Sequence, residues 1–307
     1  MKILVGITCY GTRNLAHVRT LIDAYRSMPF DVDIVVLSEA PKALPAGVQV
    51  RVGLPTPDPW SLGFAHRQLF ADKAGDYDLF IYSEDDILVS EANIRAFLRA
   101  VQLLPPDVLP GFLRFELHPD GQKNYPDIHG PYHWEAASVR RAGEYVLARL
   151  SNEHSGCYLL TREQLARAIA SGGFLVAPHR GRYDLLCSAA TDPYTPCGFE
   201  RVMCLSHLND FELRHLSDAY VHRNGLVDAD GAVVDGRSQQ LMCGALLEVL
   251  RSQRPAGQLF RTKTALPTSL WDKSYHEPLR DDLLRLLPPG ARPRLRRNAP
   301  PSVPLRR

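Results

Sequence analysis

With 307 residues, 45% hydrophobic and 23% charged, the chain has the make-up of a globular protein of one large domain or two small ones. No stretch approaches the roughly 18 consecutive apolar residues of a membrane-spanning helix. The formal charge of +2 hides an asymmetry. Residues 291–307 hold six arginines and no acid, and without them 30 basic residues face 34 acidic ones, a net of −4, so the body offers no general basic field for nucleic acid.

Met1–Ile7 is too short an apolar run for a signal peptide and reads as a first strand continuing to Thr8. Asn14 stands where a helix N-cap belongs, before an apolar face of Leu15, Val18, Ile22 and Tyr25. Strands are predicted at 33–37 and 48–52, so the opening is β-α-β and implies a parallel sheet. A proline-rich connection (Pro55, Pro57, Pro59) leads into a helix predicted over 60–73, and Leu79–Tyr82 reads as a buried strand. Ser90 caps a helix carrying Ile94, Phe97, Leu98 and Val101, stopped by Pro105-Pro106.

Beyond Gly111 the texture changes. A strand is predicted at 112–117, a long ordered loop at 118–135 and a strand at 156–160. Thr161-x-x-Gln164 is a capping box opening a helix to about Ala170. Residues 174–196 read as loop, 198–205 as a helix, 216–221 as extended and 238–252 as an amphipathic helix, with a disordered basic end. The predicted halves are 1–110 and 111–255, followed by an extension at 256–290 and the tail at 291–307. Six cysteines without CxxC spacing read as reduced thiols.

The strand at Leu79–Tyr82 ends in Glu84-Asp85-Asp86, after which Ile87-Leu88-Val89 is apolar again. Three acids at a strand end repel one another unless a cation or a donor network neutralises them. Hard oxygens suit Mg²⁺ or Mn²⁺, ions that also bind phosphate. The plain alternative is a solvated acidic turn.

Ser83-Glu84-Asp85-Asp86-Ile87-Leu88-Val89 before a helix resembles the EDD form of the DxD motif in GT-A glycosyltransferases of the N-acetylglucosaminyltransferase I superfamily. That resemblance implies an α/β, GT-A-like fold. A Rossmann-type nucleotide-binding half with a mostly parallel central sheet is fused to an acceptor-binding half. The activity it implies is metal-dependent transfer of a hexose or N-acetylhexosamine from a nucleotide-diphosphate sugar, UDP-linked, to an acceptor hydroxyl on a glycan, a lipid-linked sugar or another molecule. The cofactor is Mn²⁺ or Mg²⁺. The implied location is cytoplasmic, with contact to the inner membrane surface through the basic tail as an option.

By resemblance Asp86 ligates the metal, Asp85 binds ribose or sugar or reaches the metal through water, and Glu84 contacts the donor sugar. A late histidine completes the metal shell; His222, after a predicted strand, is the choice, with His207 and His215 close by. Thr8 and Tyr10 end the first strand where a nucleoside sits, with Tyr10 able to stack on the base. Glu39 ends the second strand as a nucleoside contact, and Arg67 is positioned to pair with a phosphate or with the acids. The base of an inverting transfer is Glu200, in a segment resembling the family's xED position although Arg201 replaces its aspartate, or Asp184, or Asp192. A retaining transfer needs none of them. The alternatives are a sugar-nucleotide nucleotidyltransferase and a non-catalytic nucleotide-sugar-binding module.

Overall fold

The computed structural model describes residues 1–126 and 134–221, plus the strand pieces Leu226–Val227 and Val233–Asp235. His222, the helix expected at 238–252 and the basic tail lie outside the described residues. In chain order the strands are β1 (Lys2–Thr8), β2 (Asp31–Ser38), β3 (Gln49–Val52), β4 (Leu79–Glu84), β5 (Ile87–Leu88), β6 (Val108–Gly111), β7 (Leu113–Leu117), β8 (Lys123–Asn124), β9 (Trp134–Ala142), β10 (Tyr145–Leu150), β11 (Cys157–Thr161), β12 (Glu200–Cys204) and β13 (Glu212–His215). The helices are α1 (Leu15–Arg26), α2 (His66–Asp72), α3 (Glu91–Val101), α4 (Arg162–Ala170) and α5 (Leu185–Thr191).

The protein is mixed α/β, and three of its sheets contain parallel strands. The largest sheet runs β11-β4-β1-β2-β3, parallel except for β11, which pairs antiparallel with β4. β1 and β4 are apolar and buried almost throughout, the pattern of central parallel strands. A second sheet runs β6-β12-β10-β9, and a third β5-β13-β7-β8. The boundary expected at 110/111 is crossed in both directions: β11 joins the first sheet, and β5 joins the third.

Several local expectations are replaced. The helix expected over 60–73 is a 3-10 helix, Pro59–Ala65, continued by α2. The helix expected at 198–205 is β12, whose run Glu200-Arg201-Val202-Met203-Cys204 is too short for periodicity to separate helix from strand. The loop expected at 174–196 contains α5. The extended run expected at 216–221 is turn, because the strand there is β13, immediately before it. The Ser90 cap and the Thr161 capping box are both formed, and at Ser90 the Asn93 side chain closes a second box. The five described cysteines are free thiols. Among the described residues no helix is long and apolar enough to cross a membrane.

His66, the first residue of α2, is fully buried between the Gly63 carbonyl, 2.6 Å from Nδ1, and the Tyr158 hydroxyl at Nε2. Burial above all, then the neighbouring Arg67 charge, holds its imidazole well below the ordinary value against the pull of the Gly63 carbonyl. The unfolded chain takes up a proton here near pH 6.5 and the folded chain does not. Its contribution is therefore complete above about pH 6.5 and falls by up to about 1.4 kcal/mol per unit as the pH drops below that value. Urea unfolding of wild type and His66→Gln between pH 7 and 5 should show a steeper loss in the wild type. Parallel slopes would remove His66 as a source of acid sensitivity.

Candidate functional site

The strand order turns back between β1 and β4. β2 and β3 extend the sheet to one side of β1, and the chain returns to add β4 on the other. Open α/β sheets leave a crevice at such a switch point, at the carboxyl ends of the strands. Thr8, ending β1, is in register with Glu84, ending β4, so the acidic triplet lies at that crevice. A cavity of about 760 Å³ opens there. Its walls come from the turn after β1 (Thr8, Tyr10, Arg13, Asn14), the 3-10 helix (Pro59, Trp60, Leu62, Gly63), the three acids, and Arg114 of β7. The later chain adds Asn152 and His154, the start of α5 (Asp184, Leu186, Cys187), and the segment from His215 to Tyr220.

Each acid has its own partner. Glu84 Oε1 lies 3.2 Å from His154 Nε2. β11 brings that histidine in by pairing with β4, and Glu84 N–H donates to the Gly156 carbonyl at 2.8 Å. Gly156 has φ +66°, and a Cβ there would stand 2.8 Å from Glu84 Oε2, so only glycine fits beneath this carboxylate. Burial opposes ionisation of Glu84, but the His154 hydrogen bond and charge, with Arg114, hold its carboxyl below the ordinary value.

Asp85 accepts the Asn14 side-chain amide at 2.8 Å. Burial first, then the charges of Asp86 and Glu84, pushes its carboxyl up to about 7 against the Asn14 bond. Asn14 does not cap α1 with its side chain; the amide reaches across to Asp85 and, at 3.5 Å, to Asp86.

Asp86 is buried, and its Oδ2 lies 3.1 Å from His215 Nε2. His215 Nδ1 lies 2.6 Å from Oε1 of Glu116, a fully buried carboxylate whose Oε2 accepts the Tyr220 N–H at 2.9 Å. Burial opposes the charged imidazole, but its bonds to Asp86 and Glu116 push His215 up to about 9. The same contact, with Ser217, holds Asp86 below the ordinary value although burial alone would raise it.

Among the described residues no group of three or more His, Cys, Asp or Glu side chains forms a metal-binding cluster. The pair Asp86 and His215 nevertheless fits a dication bound jointly by protein and ligand. Bonds of about 2.1 Å at right angles put neighbouring donors on an octahedral ion about 3.0 Å apart. Asp86 Oδ2 and His215 Nε2 are 3.1 Å apart, the contact of the hydrogen-bonded pair described above, so an ion held by both would take the place of the proton between them. Glu116 on the other ring nitrogen is the carboxylate partner that orients a ligating histidine. Ions of the Mg²⁺ type take their remaining donors from water and substrate phosphate.

The other expected residues divide. Thr8, half-exposed Tyr10 and Asp184 line the cavity. Asp184 Oδ1 accepts the Cys187 N–H at 2.8 Å, capping α5. Glu39 is not among the lining residues; it accepts from Gly11 N–H and Lys42, and so shapes the turn that presents Tyr10. Arg67 does not reach the acids. It is 3% exposed and bound to Asp192 at 2.5 Å and to the Phe174 carbonyl at 3.2 Å. Asp192 is thereby occupied, and also faces His179 at 3.0 Å. Glu200 lies on β12 outside the cavity lining, in a two-pronged pair with Arg140 at 2.8 and 2.9 Å. Arg201 is buried against the carbonyls of Asn152 and Phe112.

Sequence reasoning missed Asn14, Glu116, His154, Arg114 and Trp60, and named His215 only as a neighbour of the favoured histidine. None carries a local signature. Their shared property is that they reach the cavity, or the residues around the acids, only through tertiary packing.

No protein-family model matches the chain, and no curated protein matches it.

Proposed function

We propose that this is a GT-A-like glycosyltransferase that moves a sugar from a nucleotide-diphosphate donor, UDP-linked, to an acceptor hydroxyl with the help of Mn²⁺ or Mg²⁺. The observation that carries this reading is the Asp86–His215 donor pair, backed by Glu116, in the wall of a large cavity at the switch point of the sheet. Asp86 and His215 would hold the ion, which when bound supplies positive charge for the departing diphosphate. Thr8 and Tyr10 bound the nucleoside end. Asn14 holds Asp85 for ribose or sugar hydroxyls, and His154 holds Glu84 toward the donor sugar. Asp184 is the base of an inverting transfer: the Cys187 N–H orients it through Oδ1, and Oδ2 takes the acceptor proton. The turn after β1 has one glycine, Gly11, and one arginine, Arg13, unlike the glycine-rich basic loop of a nucleotidyltransferase.

Thermal unfolding with UDP, with and without Mn²⁺, tests this. At a hundredfold excess over the dissociation constant, binding adds about 2.7 kcal/mol, or roughly 5–10 °C in Tm for a chain of this size. Mass spectrometry of UDP-sugars incubated with protein and Mn²⁺ should show hydrolysis or transfer. No shift together with no turnover would overturn the proposal.

A further inference from the structure

Trp60 is an indole 54% exposed in the wall of the cavity. Its position is tightly held from both sides. Asp58 accepts the Trp60 N–H at 3.0 Å, and its other oxygen lies 3.5 Å from Arg180. Ser61, fully buried, accepts the Thr56 N–H at 3.1 Å. Gly63 then presses on α5: a Cβ there would come within 2.7 Å of Ala189 Cβ. Phe64, Leu185 and Ala189 form a small apolar cluster of their own. The segment bearing Trp60 and the helix capped by Asp184 are therefore packed as one piece, and both Trp60 and Asp184 line the same cavity.

A flat apolar face and a carboxylate, carried on one packed piece and lining one cavity, are the two kinds of group that hold a sugar ring. The C–H face of a pyranose covers an indole, and a hydroxyl donates to the carboxylate. Leaving the indole uncovered forgoes the gain from burying a large apolar surface, which a ring laid on it recovers. We propose that Trp60 and Asp184 form the acceptor subsite and that the acceptor is a pyranoside. This rests on the glycosyltransferase reading and narrows its acceptor to a carbohydrate.

Tryptophan fluorescence of the full chain, saturated with UDP and Mn²⁺, tests the assignment. Trp134 is 2% exposed, and the third tryptophan, Trp271, lies outside the described residues, so the Trp60 variants assign the signal. Methyl glucopyranoside, methyl galactopyranoside, methyl N-acetylglucosaminide, lactose, cellobiose and chitobiose are titrated into the millimolar range. At least one should give a saturable change, and calorimetric titration of the same saccharide, which needs no fluorophore, should show its binding lost in Trp60→Ala and several-fold weaker in Trp60→Phe, with UDP affinity within twofold of wild type in both. If UDP binds and no saccharide gives a saturable change, the acceptor subsite is wrong while the donor site stands. If Trp60→Ala weakens UDP tenfold or more, Trp60 stacks on the base and the proposal is overturned. If neither UDP nor any saccharide binds, the glycosyltransferase reading falls and this inference with it.

Discussion

Asp86→Ala should abolish the Mn²⁺-dependent part of UDP binding and lower turnover at least about 1000-fold, a loss of about 4 kcal/mol in transition-state stabilisation, while the protein stays folded. The side chain supplies one of only two protein donors proposed for the ion, and His215 alone, held by Glu116, is a weak site. The fold survives because the joint at this position is made by the backbone. The Asp86 carbonyl accepts the Leu216 N–H at 2.8 Å, and β5 pairs with β13 through Ile87 and Leu88. Alanine keeps both. Calorimetric titration of UDP with and without Mn²⁺ checks the result; an unchanged metal dependence in the variant would remove Asp86 as a ligand.

Asp192→Ala should destabilise the protein by about 3–5 kcal/mol, the usual consequence of leaving one member of a buried ion pair without the other. Arg67 is 3% exposed, and among the described residues its Nε has no partner and Asp192 is its only carboxylate. The neighbouring carbonyls of Phe174 and Ala189 accept hydrogen bonds but carry no full charge. Asp192→Asn, which keeps an acceptor, should lose less. Arg67→Met combined with Asp192→Leu should recover much of the loss, since paired apolar replacements remove both buried charges. Denaturant unfolding measures all three. A loss below about 1 kcal/mol for the alanine variant would show that water reaches Arg67 and that the pair is not a stabilising tie.

The parts of this molecule that were readable from sequence are those whose partners are near in the chain. β1 and β4 announce themselves as apolar runs, α1 by its spacing of Val18, Ile22 and Tyr25, α3 by the Ser90 cap before its apolar spacing, and α4 by a capping box closed within three residues. The acidic triplet was legible because three charges between apolar runs demand a reason. What failed depends on distant partners. Glu200 resembles a helix-start base, yet Arg140, brought alongside by the pairing of β9, β10 and β12, draws it into an ion pair. Asn14 has the position of a cap, but Asp85 competes successfully for its amide. Nothing local separates His215 from His207; only Glu116, on a strand parallel to its own, does so. Arg67 was placed near the acids by its rank before β4, whereas α2 directs it away into the packing beneath α5.

The acidic turn belongs to two sheets at once, since β4 lies in the first and β5 in the third. The acidic end of the crevice is consequently not a portable module. A fragment stopped after the opening sheet would keep Glu84, Asp85 and Asp86 in its sequence but lose the strand that fastens the far side of their loop, so shortening, grafting or permuting this chain has to preserve Glu212–His215 along with it.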